Sequence, residues 1–205
     1  MKSIAVKRLV FLIVPILLIT GCTKDYTNYY PDDEDKGVAI FSSTANNIMG
    51  CFIDGKAWRT GSRTTSLFSR PRYEVYITKQ NTSSLLDTLS ISWSGYYGES
   101  KDMTAYIELT LPVAKTFNYL DLSALRGQRL QLDTTNGFFS TSISGLNNSN
   151  SKGSGHIYFH TARFDSISPG VFKGTLSGLF EADFGSFKIL RGRFDHNITE
   201  DQVDL

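Results

Sequence analysis

Apolar and polar residues alternate along most of the chain after residue 38. In residues 89–94 every second residue is apolar, and the residues between them are serines. Residues 73–77 and 104–111 alternate in the same way. A period of two is typical of β-strands that bury one face and expose the other to solvent. The pattern therefore predicts antiparallel β-strands.

Turn residues between these segments indicate the architecture. Asp54-Gly55 predicts a hairpin turn, Asn136-Gly137 before Phe138 predicts a second, and residues 118–125 allow one helical turn. The polar residues 145–155 predict a mobile loop. The candidate strands are 47–53, 57–60, 73–77, 89–94, 104–111, 129–133, 138–144, 156–163, 171–183 and 187–196. Many short strands predict an all-β fold, for which we favour an antiparallel β-sandwich over a small closed β-barrel.

The N-terminal residues have the pattern of an export signal. A basic start at residues 2–8 precedes an uncharged apolar run at 9–19, which is too short for a lasting transmembrane helix. Residues 19–22, Ile-Thr-Gly-Cys, resemble the lipobox of bacterial lipoproteins. The resemblance implies cleavage after Gly21 and multiple acylation of Cys22, which anchors a chain stably in a membrane. The alternative is an ordinary signal peptide followed by an unrelated cysteine.

Residues 23–37 have the composition of an acidic linker. Two lysines stand against five acidic residues, which leaves a net charge of −3, and aliphatic residues are almost absent. Such a segment stays solvated and extended. Its cluster at 32–35 resembles the surface-export signal of Bacteroidetes lipoproteins, with a plain spacer as the alternative. We expect a signal peptide at 1–21, a lipidated cysteine and linker at 22–37, and one domain at 38–205, anchored to the outer membrane at the cell surface.

Charge and cysteine content narrow the set of partners. The chain has a formal net charge of +1, and the basic leader and acidic linker cancel, so the domain itself is close to neutral. This balance argues against nucleic acid as a partner. With Cys22 acylated, Cys51 has no intramolecular disulfide partner and is expected to be a small buried apolar side chain. We expect no cofactor.

Two segments resemble uncharacterised lipoprotein families of Bacteroidetes. Residues 53–58 read Ile-Asp-Gly-Lys-Ala-Trp, and residues 174–195 contain Gly-Leu-Phe and Gly-Arg-Phe. The families pair an early Asn/Asp-Gly-Lys-x-Trp hairpin with a terminal Gly-x-Phe and Gly-Arg-Phe hairpin. The resemblance implies glycines at turns and aromatic side chains that face the core. It implies no activity.

His156 and His160 are spaced as a helical zinc pair would be. On a strand, however, backbones four residues apart are separated by about 13 Å. Zinc–nitrogen bonds of about 2.0–2.1 Å do not bridge that distance. We therefore predict that His156, Tyr158 and His160 form an outward row and that the chain has no metal site.

The candidate binding residues are aromatic. Residues 93–98 read Trp-Ser-Gly-Tyr-Tyr-Gly, which predicts a glycine-flanked turn at the end of a strand. Exposed rings at such a position provide contact area for glycans or peptides at low entropic cost. Trp93 is in phase with Leu89 and Ile91 and is expected in the core. Tyr96 and Tyr97 point to opposite faces of a regular strand, so at least one of them is expected to be available.

The favoured function is a membrane-anchored binding or accessory module for glycan or peptide. The alternative is a structural partner of an envelope protein in an outer-membrane complex. A hydrolase ranks third, because the sequence has no Gly-x-Ser-x-Gly motif and spacing alone identifies no carboxylate pair. We expect no enzyme and assign no catalytic residue.

Overall fold

The computed structural model describes residues 38, 40–60, 75–81, 85–97, 104–143, 151–168 and 171–205. The strands are β1 Ile48–Ile53, β2 Lys56–Thr60, β3 Val75–Asn81, β4 Leu86–Tyr97, β5 Thr104–Ala114, β6 Arg129–Leu132, β7 Phe138–Ile143, β8 Ser151–Ser168, β9 Val171–Asp183, β10 Lys188–Thr199 and β11 Val203–Asp204. Two 3₁₀ helices, η1 Tyr119–Leu125 and η2 Glu200–Gln202, complete the described elements. The predicted leader and linker lie outside these residues. No described helix is both long and apolar enough to cross a membrane.

Eight of these strands close into an antiparallel barrel. They pair in the order β4, β2, β1, β10, β9, β8, β7 and β5, and β5 pairs again with β4. The all-β prediction and the barrel alternative are therefore confirmed, whereas the favoured sandwich is not. Closure depends on the long strand β4, whose residues 95–97 pair with β2 while residues 86–96 pair with β5. Alternation along a single strand gives no information about such pairing.

Short elements add to the closed barrel beside β4. β3 takes the edge of β4 that β2 leaves open, and β11 adds to β3 in parallel. At this end Asn118 caps η1, whose Leu122 is buried and whose Tyr119 stacks on Phe172 with ring centroids 4.6 Å apart. The predicted helical turn is confirmed, and it covers one end of the core.

The turn predictions have different outcomes. Ile53 pairs with Lys56 across Asp54 and Gly55, whose φ angles of 50° and 78° form a tight hairpin. A turn also ends at Gly137, but β6 before it pairs with β8 rather than with β7. The predicted mobile loop at 145–155 is wrong for residues 151–155, which belong to β8; residues 144–150 lie outside the described part of the chain.

Aromatic rings fill the barrel interior. The largest fully buried side chains include Trp58, Trp93, Phe139, Phe159, Phe180 and Phe194, and the thiol of Cys51 is buried as predicted. Gly178 lies within β9, where an added Cβ would stand 2.6 Å from the ring of Phe194. Gly192 lies within β10 against Phe180 in the same way. These glycines therefore make room for rings inside strands, and the expectation that they sit at turns is wrong.

Candidate functional site

The predicted aromatic turn is a continuation of β4. Tyr97 pairs with Trp58 on β2, and Tyr97 is buried with its hydroxyl donating to the carbonyl of Ile53 at 3.3 Å. Trp93 is also buried, and its ring lies parallel to Phe180 with centroids 6.3 Å apart. Neither side chain is available to a ligand. Tyr96 points to the outer face and is half-buried.

Tyr96 belongs to a larger outer surface on β3, β4 and β5. The residues at its outward positions are Tyr76, Ser92, Ser94, Tyr96, Tyr106 and Glu108, which we call the tyrosine face. Ser92 lies between Tyr76 and Glu108 in register, and Ser94 lies beside Tyr106. Tyr76 is 40% exposed and Tyr106 is 53% exposed. The register thus brings three tyrosines around a strip of serines.

The geometry of the tyrosine face follows from sheet spacing. Neighbouring strands are about 4.8 Å apart and the chain rises about 3.4 Å per residue. Tyr76 on β3 and Tyr106 on β5 are offset by two residues across β4, so they are separated by about 12 Å. Tyr96 is a diagonal neighbour of Tyr106, within reach of a long side chain. Ser92 and Ser94 occupy the strip between these rings. The result is a shallow surface rather than a pocket.

The tyrosine face is nearly uncharged. Glu108 is its one ionisable carboxylate and accepts from the Thr110 hydroxyl at 3.4 Å. Arg59 on β2 adjoins the face opposite Tyr96. The remaining polar groups are hydroxyls, each of which both donates and accepts hydrogen bonds. Such a surface suits a ligand that is itself rich in hydroxyl groups.

Sequence reasoning missed Tyr76 and Tyr106 as candidates. Both residues occupy the polar phase of their strands, since Val75, Ile77, Ala105 and Ile107 are buried around them. A large aromatic residue at an outward position of a strand is therefore the sequence signal that could have identified these two tyrosines. That the two tyrosines share a surface depends on the pairing of β4 with both β3 and β5.

The outward histidine row is present. His156 and His160 are exposed, whereas Ile157 and Phe159 between them are buried. His156 Nε2 lies 4.0 Å from a Glu181 carboxylate oxygen. Among the described residues, no group of three or more His, Cys, Asp or Glu side chains is placed to hold a metal ion.

His196 is the third histidine and lies in the barrel wall of β10. It is 1% exposed, and its Nε2 has no hydrogen-bond partner within the described part of the chain. Burial lowers the pKa of His196 to about 4, and the neighbouring Asp195 carboxylate opposes this shift. The ring is therefore neutral at pH 7. It has no route to a ligand at the surface.

Comparison with known proteins finds no relative of this chain. No family model, no curated protein and no solved structure matches this chain. Gly21 and Cys22 lie outside the described residues, so the lipobox remains a prediction from the sequence. The candidate site is therefore defined by the tyrosine face alone.

Proposed function

We propose that the protein is a lipid-anchored outer-membrane module that binds glycans through the tyrosine face. The observation that carries this proposal is the exposure of Tyr76 and Tyr106 on either side of the β4 serines. Tyrosine and serine together are the residues that adaptable binding surfaces favour, because a rigid ring gives area and a small hydroxyl gives hydrogen bonds. The lipobox at residues 19–22 supports the anchor.

A glycan fits this face better than a peptide. Peptides commonly bind a sheet by adding a strand to a free edge. Along residues 87–93, β4 already pairs with β3 on one edge and β5 on the other. Strand addition is thus unavailable at the centre of the tyrosine face, which leaves side-chain rings and hydroxyls to make the contacts. An uncharged glycan matches the near absence of charge.

The binding surface is tested by replacing Tyr106 with alanine. We expect Tyr106→Ala to weaken glycan capture at least about tenfold, equivalent to about 1.4 kcal/mol, because aromatic anchors dominate binding free energy. Stability should change little, since Tyr106 is 53% exposed. An array of uncharged and anionic glycans identifies a ligand, and titration of that glycan gives the affinities.

Tyr158→Ala is the matched control for Tyr106→Ala. Tyr158 is a half-buried outward tyrosine on β8, away from the tyrosine face, and Arg129 lies 5.9 Å from its ring centroid. We expect Tyr158→Ala to leave affinity unchanged. Equal losses in both variants, or none in Tyr106→Ala, would reject the tyrosine face as the binding surface.

The anchor is tested by Cys22→Ser. Because acylation takes place on the cysteine thiol, we expect this variant to lose all fatty-acid label and to accumulate as uncleaved precursor. Metabolic labelling with a fatty acid, followed by membrane fractionation, measures both effects. Cys51→Ser is the control. Because Cys51 is buried, its replacement is expected to leave labelling intact. Label retained in Cys22→Ser would contradict the anchor.

One observation favours an envelope protein as partner instead. Leu179 and Leu190 are 43% and 45% exposed on β9 and β10, and Leu190 lies next to Phe52 of β1. Exposed apolar side chains on this wall, away from the tyrosine face, suit contact with another protein. Capture of an envelope protein that is lost in Leu190→Asp but kept in Tyr106→Ala would favour this second function.

A further inference from the structure

The chain preceding β1 is docked on the outside of the barrel. Residues 40–47, which we call the strap, contact β8 and β10. The Phe41 ring meets the His160 ring edge-on with centroids 5.6 Å apart. The backbone amide of Asn197 donates to Asn47 Oδ1 at 2.8 Å. Ser177 of β9 points outward yet is 0% exposed, as cover by the strap requires.

Asp195 of β10 holds the strap. Its carboxylate accepts hydrogen bonds from the backbone amides of Thr44 at 3.1 Å, Ala45 at 2.9 Å and Asn46 at 3.0 Å. The Ser42 hydroxyl donates to the same carboxylate. Consecutive amides that converge on one carboxylate form an anion nest, and Ala45 adopts the left-handed φ of 62° that turns the strap around it. Asp195 is buried at 1% exposure, and its loss would leave several part-buried donors of the strap without their acceptor.

The strap and the tyrosine face lie on opposite walls. In the ring of eight strands, β9 is four steps from β4, and β10 is four steps from β5. The strap contacts the β8–β10 wall, whereas the tyrosine face belongs to β3, β4 and β5. The strap is also the segment through which the predicted linker at 22–37 reaches the barrel.

We propose that Asp195 is a latch that makes the tether leave the barrel on the wall opposite the tyrosine face. This inference rests on the proposed anchor and binding face. A docked strap keeps the tyrosine face turned from the membrane while the chain is anchored. Release of its eight residues would lengthen the tether by up to about 25–30 Å and remove this bias.

The latch is tested from the strap side, without any change to the barrel. Ala45→Pro removes one amide donor and is incompatible with the φ of 62°, whereas Ala45→Gly keeps the amide and tolerates that φ. In the lipid-anchored chain in detergent, we expect Ala45→Pro to accelerate hydrogen exchange of the Thr44 and Asn46 amides at least tenfold. Ala45→Gly should leave it unchanged. Unaltered exchange in Ala45→Pro would overturn the latch.

Asp195→Ala tests the same latch from the barrel side. We expect it to accelerate exchange at Thr44, Ala45 and Asn46 at least tenfold, with exchange in β4 and β5 unchanged. Asp165→Ala is the control, because Asp165 is an exposed carboxylate on β8 that pairs with Arg163. Equal acceleration in both variants would mean a general loss of stability and would reject a specific latch.

The orientation itself is measured by thiol labelling on vesicles of neutral phospholipid. Ser92→Cys places a thiol on the tyrosine face, and Lys173→Cys places one at an exposed outward position on β9. Relative to detergent, we expect a bulky maleimide polymer to react at least threefold more slowly with Lys173→Cys on vesicles and equally fast with Ser92→Cys. Adding Ala45→Pro should make the two ratios equal. Equal ratios with the unaltered strap would overturn the proposal.

These measurements use no glycan. Whether or not Tyr106→Ala weakens ligand binding, the outcome of these measurements is therefore unchanged. Failure of the anchor is detected separately by fatty-acid labelling of Cys22.

Discussion

Trp93→Ala is expected to lower the free energy of unfolding by about 3–5 kcal/mol, the usual cost of removing a large aromatic side chain from a core. Trp93 is 1% exposed and lies 5.4 Å from Phe194 and 6.3 Å from Phe180, centroid to centroid. Its removal leaves a cavity that these rings fill only in part. Urea unfolding, with comparison of midpoint and slope, measures the change.

Tyr96→Ala is the matched control on the same strand. Tyr96 lies three residues further along β4 on the outer face and is half-buried, so its truncation should cost no more than about 1 kcal/mol. A similar loss in both variants would place Tyr96 in the core. A loss below about 1 kcal/mol in Trp93→Ala, with the fold intact, would contradict its position in the barrel interior.

Acid is expected to destabilise the domain through His196. The ordinary pKa of histidine is 6.5, and burial lowers the pKa of His196 to about 4. Between these values the unfolded chain binds a proton at His196 and the folded chain does not, so stability falls as pH decreases. Each pH unit in this window is worth about 1.4 kcal/mol, which gives a loss of about 3 kcal/mol from pH 7 to pH 4.

The contribution of His196 is isolated by substitution. His196→Leu removes the titrating ring, so the free energy of unfolding should depend less on pH between 6.5 and 4, whatever its value at pH 7. His160→Gln is the control, because His160 is exposed; an equal change in this variant would reject burial of His196 as the cause. Identical pH dependence in His196→Leu and the unaltered chain would exclude a buried neutral imidazole.

Local pattern predicted the strands well, because burial on one side of a sheet imposes a period of two on the residues themselves. The predicted 171–183 matches β9, and 47–53 and 138–144 differ from β1 and β7 by one residue. The Asp54-Gly55 hairpin was predictable for the same reason, since the turn requires residues that tolerate positive φ. Burial of Trp93 followed from its phase along the strand, and burial of Cys51 followed from its apolar neighbours.

Pairing partners were not predictable from the sequence. The period of β4 is the same whether its end pairs with β2 or stays open, so alternation does not separate a barrel from a sandwich. Residues 151–155 are too rich in Gly and Ser to indicate a strand, yet pairing with β7 at residues 151–153 and with β9 at residues 154–155 extends β8 through them. Similarly, β6 pairs with β8 instead of forming a hairpin with β7.

The candidate site was likewise predictable from the sequence only in part. From the sequence it follows that one of Tyr96 and Tyr97 faces outward, because neighbouring residues of a strand point to opposite sides. Only the register of β3, β4 and β5 places Tyr76 and Tyr106 beside the serines of β4. Asp195 has the outward phase of an ordinary surface carboxylate, and only the tertiary structure buries it beneath the strap. Phase along a strand is a local property of the chain, whereas register, closure and the cover of an outer wall depend on contacts between residues far apart in sequence.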